Sequence, residues 1–476
     1  MQKVFFRKVI KNKKLLFGFI CLIVVIKIMN DSFKENRNNT PDISTLKLIT
    51  DSTKETLTSK PSPKDYLGKY PFLLECGKNL SQLFDKQTIN EKFNYSILAP
   101  LETHEKRIIR GVLIYFPIDK VEYFGLEFKW LYRSWIEMQK YEPKNWRTDL
   151  IVFIENDKKI FSNESLLFNK LNCEFSNKRM SENDKPMCTL IDFKPLQKRN
   201  ITDTFKSYQS ILDETNIFET GKDLGQFYSL LKKNLLDYGY LNSILMAFEG
   251  YNYFKLAKYD FLLRTDMDVF LTPFFSKWLP INCGFYVGRG GFSHDFNDKR
   301  FKRVAHELKL GYAGSRNLGS TWYSTPAQFR IVSYLTLFGM AYLSVEEFTQ
   351  PEREGKAGTL LWPEWHYGVL LLYGQTLGMN HLIATNQINV IPLPDLIDYP
   401  SGNAESVFTK LHIHVFHGED MFSKFMFKAG RYDNMTVSES NSTLVKYYSL
   451  KMALEGKNFS ESKLLYSLNE EGDKKT

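Results

Sequence analysis

Three charged residues interrupt one of the most apolar stretches of the chain. In the run Lys258–Phe275, Phe261, Leu262 and Leu263 lead into Arg264, Asp266 and Asp268, and Val269, Phe270 and Leu271 follow. Burying an unpaired charge costs several kcal/mol or more, so these charges answer one another or an external ion. Alternate residues of a strand share a face, which places Arg264, Asp266 and Asp268 together if the strand stays regular. Two close carboxylates repel unless a cation lies between them. Hard oxygen ligands suit Mn²⁺ or Mg²⁺. At the carboxyl end of a strand in an open α/β sheet, such a metal can carry a nucleotide diphosphate and neutralise charge on the leaving group. The structural alternative pairs Arg264 with one aspartate and leaves the other solvated at a turn.

Histidines add to this chemistry. His412, His414 and His417 fall within six residues of "KLHIHVFHG", in a chain with eight histidines. His412 and His414 would share a strand face. A neutral imidazole is a suitable further ligand for Mn²⁺; the plain alternative is a satisfied polar cluster at a sheet edge. In "WPEWHYG", Glu364 lies between two tryptophans. Aromatic rings offer platforms for sugar C–H faces, and the carboxylate is placed to act as general base on an acceptor hydroxyl. Equally, Glu364 can complement a helix dipole in a first turn begun by Pro363. "GRGG" (Gly288–Gly291) reads as a turn, with Arg289 available to a phosphate. It is no dinucleotide fingerprint, because no G-x-G-x-x-G follows the first strand.

The elements that must hold these residues alternate strand and helix. "RGVLIYFP" (Arg110–Pro117) and "RTDLIVFIEND" (Arg147–Asp157) read as buried parallel strands. Between them Phe124, Phe128, Leu131 and Trp135 fall on one helical face. Leu241, Ile244, Leu245 and Phe248 mark a helix leading into the Lys258–Phe275 run. "CGFYVGRGGF" reads as a strand ending in a glycine turn, Ala327–Leu343 and His366–Leu382 as helices, and Lys410–Gly418 as a strand. The expected class is α/β, an open mixed sheet flanked by helices. No internal repeat is present.

The chain has 476 residues, 43% hydrophobic and 15% aromatic, enough for a large core. Its net charge of +9 is mild and partly concentrated at the N-terminus, with no basic stripe for nucleic acid. Arg7, Lys8, Lys11, Lys13 and Lys14 precede an apolar run from Leu15 to Ile26. The reading is a basic cytosolic tail (1–14) and a signal anchor (15–29), with a cleaved signal peptide as the alternative. A polar stem (30–65), a lumenal domain (66–433, with an insertion at about 158–222) and a polar tail (434–476) follow. Asn-x-Ser/Thr acceptors stand at Asn30, Asn38, Asn79, Asn94, Asn163, Asn200, Asn434, Asn441 and Asn458. None lies between Asn200 and Asn434, the interval that holds the charged run, His412, His414, His417 and Glu364. In an oxidising lumen, Cys173 and Cys188 are expected to form a local disulfide, and Cys76 and Cys283 a second one.

A basic tail, short anchor, polar stem and strand-borne "DMD" together resemble the type II Golgi glycosyltransferases of the GT-A fold. "LLRTDMDVFLTP", "NLGSTWYSTP", "WPEWHYGVLLLYG" and "HVFHGED" also resemble an uncharacterised eukaryotic lumenal domain family of unknown function. The resemblance covers roughly 110–428. It implies that Asp266 and Asp268 form the DxD pair that holds a divalent metal and a nucleotide-sugar donor. It implies that Asn317 and Gly319 line the donor site, that His417 or His414 completes the metal shell, that Gly418 admits phosphate to the backbone, and that Lys424, with Arg264, meets the diphosphate. The usual H-x-x-G spacing is absent here: His417 directly precedes Gly418, and His414 lies four residues before it.

Two functions follow as expectations. The first is a metal-dependent glycosyltransferase in the Golgi or endoplasmic reticulum membrane, moving sugar to a glycan or glycoprotein acceptor, with Asp268 and Glu364 in catalytic roles. The second is a non-catalytic lumenal glycan-binding or scaffold protein on the same fold. A metal-dependent hydrolase would need more carboxylates near the metal than the sequence offers.

Overall fold

The computed structural model describes residues 105, 107–156, 167–168, 170–175, 185–200, 235–280, 284–356, 364–416 and 422–459. The expected anchor, the stem, Cys76, Cys283, His417 and Gly418 lie outside the described residues. Among the described residues, no helix is long and apolar enough to cross a membrane.

The chain enters through β1 (Ile108–Phe116), crosses over through helix α1 (Val121–Gln139) and returns as β2 (Trp146–Ile154), parallel to β1. Every residue of β2 is buried, as expected of a central parallel strand covered on both faces. The stretch read as an irregular insertion adds two strands to this sheet. β3 (Cys173–Phe175) pairs with β4 (Cys188–Asp192), which pairs with β2. Cys173 and Cys188 stand opposite each other in that pairing and are joined by the expected disulfide. The edge strands escape a pattern reading because β3 has only three residues.

Helix α2 (Leu241–Tyr253) leads into β5 (Phe261–Arg264), parallel to β1. The next strand, β6 (Val269–Leu271), leaves the main sheet. β7 (Phe285–Arg289), helix α3 (Asp295–Glu307), β8 (Leu318–Ser324), helix α4 (Pro326–Glu346), the short α5 (Gln350–Arg353), helix α6 (Leu370–Ala384) and β9 (Val390–Pro392) follow. The main sheet has eight strands in the order β3-β4-β2-β1-β5-β8-β7-β9, with β8 antiparallel to both neighbours. A second sheet joins β6 to β10 (Tyr399–Pro400) and β11 (His412–His414) in the order β10-β11-β6. After it come α7 (Lys424–Lys428) and α8 (Val445–Lys457).

Alternation along the strands builds the layers. Leu113, Ile151 and Phe153 face one core shared with α2, α3, α4 and α6. Val112, Ile114, Leu150 and Val152 face another, with Phe128, Leu131 and Trp135 of α1. The expected face of α1 is thus the buried one, with Phe124 at its margin. A third core lies between the small sheet, α1 and α8. Part of the polar tail therefore belongs to the fold: α8 buries Tyr448, Leu450 and Met452. Helices α4 and α6 meet backbone to backbone. A Cβ at Gly339 would stand 2.9 Å from Gly374 Cα, and this closeness lets two largely apolar helices share one layer.

Candidate metal centre

The acidic pair stands where the chain changes sheets. Arg264 ends β5, Val269 begins β6, and Asp266 and Asp268 occupy the crossing between them. The three charges therefore do not share one regular strand face, as the sequence pattern had suggested. The crossing begins at the carboxyl end of a strand parallel to β1, the end at which open α/β sheets bind ligands. Pairing with the small sheet then sets the register. β11 runs antiparallel to β6 with His414 opposite Val269, and the Val415 N–H donates to the Asp268 carbonyl at 3.0 Å. His414 is thereby delivered to Asp268.

Asp266, Asp268 and His414 each offer a ligand atom, and the three atoms lie within 4.8 Å of one another. His414 Nε2 is 3.5 Å from Asp268 Oδ1, while Nδ1 is 3.2 Å from Asp398 Oδ1. Asp398 is fully buried. A carboxylate behind one ring nitrogen leaves the other as the ligand atom, the arrangement common to histidines that hold metals. Two hard oxygens with one imidazole fit Mn²⁺ or Mg²⁺.

Asp398 organises the surroundings. Thr321 Oγ1 donates to its Oδ1 at 2.6 Å and the Thr321 N–H to its Oδ2 at 3.3 Å. The Asp398 N–H donates to His412 Nδ1 at 3.3 Å, and His412 Nε2 meets Thr265 Oγ1 at 2.8 Å. His412 is therefore a buried, satisfied histidine, and His414 is the one turned toward the acidic pair. Asp398 fits only because residue 288 is glycine: a Cβ there would fall 1.9 Å from Asp398 Oδ2. Gly288, read from sequence as part of a turn, makes room for this carboxylate.

The electrostatics are those of a compact charge cluster. Burial pushes the Asp268 carboxyl up, but the His414 imidazole and the Lys424 ammonium outweigh it and hold the group well below the usual carboxylate range. Lys424 Nζ donates to Asp268 Oδ2 at 2.7 Å. Burial opposes charge on His414, yet Asp268 and Asp398 raise its pKa well above the usual value. Burial likewise raises Asp398, and the His412 and His414 imidazoles beside its carboxylate bring it below the usual range.

Asp266 is more open, with 38% of its side chain exposed. It accepts from Ser320 Oγ at 2.8 Å and lies 3.5 Å from Arg264 Nη2. Arg264 is 1% exposed. It donates to the Ser320 carbonyl and, at 3.0 Å, to Ser243 Oγ. Burial lowers its pKa, and Asp266 and Asp398 offset this in part. Arg264 thus has partners within the protein, two hydrogen-bond acceptors and the Asp266 carboxylate.

The remaining expected residues are placed differently. Asn317 holds a left-handed backbone, φ 54°, and its Oδ1 accepts from the Ser293 N–H at 2.8 Å. A Cβ at Gly319 would come within 2.6 Å of the Arg289 backbone. Both residues fasten β8 to the end of β7 and so set Ser320 on Asp266. Glu364 is exposed ahead of α6. Of the two tryptophans beside it, Trp362 lies outside the described residues, and Trp365 is buried, stacked on Tyr373 at 4.3 Å and on Phe348 at 5.2 Å.

Several residues of the site gave little sign in the sequence. Asp398 sits in a loop with φ 55°, and nothing in its neighbours marks it. Tyr240 is largely exposed; partial desolvation of its ring raises its phenol pKa, and the charges of Asp266 and Asp268 raise it further. Glu127, on α1, accepts from Lys428 and feels the charge of Asp268.

Solved structures with a distant likeness include mouse xyloside xylosyltransferase 1 (TM-score 0.30, 11% identity, 60% of this chain and 85% of that one). Others are the bifunctional glycosyltransferase WbbM (0.33, 10%, 77% and 52%) and the galactosyltransferase LgtC (0.29, 11%, 70% and 98%). At these scores the likeness carries no argument. No functionally curated protein matches the chain in sequence. A family model, the domain of unknown function DUF7164, matches residues 104–476, and the chain belongs to that family.

Proposed function

We propose that this protein is a metal-dependent glycosyltransferase that moves a sugar from a nucleotide-sugar donor to a glycan or glycoprotein acceptor. One observation carries the reading: Asp266, Asp268 and His414 converge at the carboxyl end of a parallel strand, with Asp398 fixing the imidazole. Asp266, Asp268 and His414 Nε2 would hold Mn²⁺ or Mg²⁺. The ion would supply positive charge to the donor diphosphate. Lys424, which donates to Asp268 Oδ2, is the candidate second positive charge for the diphosphate. Glu364, exposed ahead of α6, is the candidate base toward the acceptor hydroxyl. His417 and Gly418 remain candidates for the metal shell and the phosphate. The basic N-terminus and apolar run support a type II anchor in the Golgi or endoplasmic reticulum membrane.

A second reading has an observation of its own. Asp268 already has two cationic partners, Lys424 and His414, as a vestigial site on a glycan-binding or scaffold protein would. The two separate on nucleotide binding. A transferase binds UDP or GDP with Mn²⁺ and not in EDTA, and hydrolyses one member of a nucleotide-sugar panel slowly. Nucleotide binding indifferent to metal, with no hydrolysis across the panel, overturns the first reading.

A further inference from the structure

Helix α7 carries two lysines one turn apart, a spacing that puts both side chains on one face. Each reaches a different carboxylate. Lys424 Nζ donates to Asp268 Oδ2 at 2.7 Å, and Lys428 Nζ donates to Glu127 Oε1 at 2.6 Å. Glu127 comes from α1 and is buried. Asp268 and Glu127 are thus each held by one of two ammonium groups that α7 carries one turn apart. The electrostatics agree: burial and the charge of Asp268 push the Glu127 carboxyl up, and Lys428 and Lys424 pull it back.

A divalent ion bound by Asp266, Asp268 and His414 would claim the carboxylate that Lys424 now engages. An ammonium left in place would repel it in a poorly solvated corner. Lys424 then needs another partner, and a carboxylate can accept from two ammonium groups. Glu127, which already holds Lys428 on the same face of α7, is that partner.

We propose that Lys424 is a resident cation competing with the metal for Asp268, and that Glu127 is the positioning residue that receives Lys424 when metal binds. This rests on the metal-site reading above. It adds that the site has two states, one with Lys424 on Asp268 and one with Lys424 on Glu127 beside a metal-loaded pair.

The test is Mn²⁺ binding alone, by titration calorimetry on the full-length protein in detergent, without nucleotide. Lys424→Met should tighten Mn²⁺ about tenfold by freeing Asp268. Glu127→Gln should weaken it about tenfold, because Lys424 loses its alternative partner, and should have no effect in the Lys424→Met background. If Glu127→Gln does not fold, judged by its melt in EDTA, Glu127→Gln with Lys428→Met removes the stranded ammonium and is used instead. Unchanged or weaker Mn²⁺ binding by Lys424→Met overturns the competition. A Glu127 effect that persists without Lys424 overturns the positioning role. Absence of Mn²⁺ binding from the wild type and from Lys424→Met alike sinks the metal site itself, an outcome distinct from either.

Discussion

Two arginines are buried in neighbouring parallel strands, and they are treated in opposite ways. Arg110 lies near the start of β1 and Arg264 at the carboxyl end of β5; each is 1% exposed. Arg110 is answered from every side. Its guanidinium donates to Glu142 at 2.6 Å, Phe275 O at 2.8 Å, Thr148 Oγ1 at 3.0 Å, and Ser276 O and Trp278 O at 3.2 Å. It also lies over the rings of Trp146 and Phe275. Burial works against its charge, but Tyr323 and Glu142 more than compensate, and its pKa is raised. Arg264 has fewer partners. Its Nε lacks a hydrogen bond among the described residues, its carboxylate partner Asp266 is half-open, and its pKa is lowered by burial. One end of the sheet is closed by its own charges. At the other, the charges converge and stay incompletely matched, which is what a binding site requires and a structural staple avoids.

The comparison is broken most easily at Arg110. Replacing it with Met leaves the Glu142 carboxylate buried beside Thr148 with no cation. Removing one partner of a buried pair costs about 3–5 kcal/mol. Urea denaturation should report that loss, with Mn²⁺ affinity unchanged in whatever folds. A similar cost for Arg264→Met would erase the distinction drawn between the two ends.

Within the candidate site, the two aspartates should part company. The sequence treats them alike, and from it either Asp→Asn change is expected to leave the metal-free fold intact. The structure separates them. Asp268, 14% exposed, holds Lys424 and faces His414, so Asp268→Asn should cost about 2–3 kcal/mol in EDTA, less than a fully buried pair. Asp266, more exposed, should cost within about 0.5 kcal/mol on the same change. Both variants should lose the stabilisation that Mn²⁺ with nucleotide gives the wild type by mass action. Thermal melts in EDTA and in Mn²⁺ with UDP or GDP measure both quantities. Equal losses in EDTA would mean that Asp266 is as structural as Asp268.

This asymmetry marks what the sequence could carry. Periodicity identified β1, β2, α1, α2, α4 and α6, because each buries a long face against a neighbour. An Asp-x-Asp in an apolar run located the acidic pair. The crossing between sheets was not legible, since Val269–Leu271 continues the apolar run while changing its partners from main-sheet strands to β11. Pairing is set by tertiary contacts that a run of Val, Phe and Leu does not record. The sequence left His417 and His414 as alternatives, and His417 lies outside the described residues; Asp398, which stands behind His414, arrives from a loop whose sequence announces nothing. The burial of Trp365 was not legible either, because its packing on Tyr373 and Phe348 is a contact between residues that pattern alone cannot orient.

Gly288 sharpens the role given to Asp398. A methyl group there would overlap the Asp398 carboxylate and crowd the Ile397 side chain at 2.9 Å. Gly288→Ala should cost about 1–2 kcal/mol, within the range for overpacking a close-packed core. The further expectation is specific to the site. Displacing Asp398 frees the His414 ring, so Mn²⁺ affinity should fall as well, by about tenfold, the usual effect of losing a carboxylate behind a metal-binding histidine. A stability loss with unchanged Mn²⁺ affinity would reduce Asp398 to a structural residue.

The gentlest probe is pH, and its sign differs between the two states of the site. In the metal-free protein, burial opposes the His414 charge, while Asp268 and Asp398 raise its pKa well above the usual value. A histidine raised on folding stabilises fully below its unfolded value of about 6.5, and that contribution is lost as pH rises through the folded value. The melt in EDTA should therefore decline with rising pH across that window, with a slope of at most about 1.4 kcal/mol per pH unit for one proton. Metal binding needs the neutral imidazole, so Mn²⁺ affinity should rise over the same window and proton release should accompany binding. Calorimetry in two buffers of different ionisation enthalpy counts the proton, and paired melts in EDTA and excess Mn²⁺ should converge as pH falls and separate as it rises. His414→Gln should flatten both curves. A wild-type EDTA melt indifferent to pH above neutrality would show that His414 does not carry its proton between the two carboxylates, and the electrostatic contrast with the closed Arg110 end would then rest on Arg264 alone.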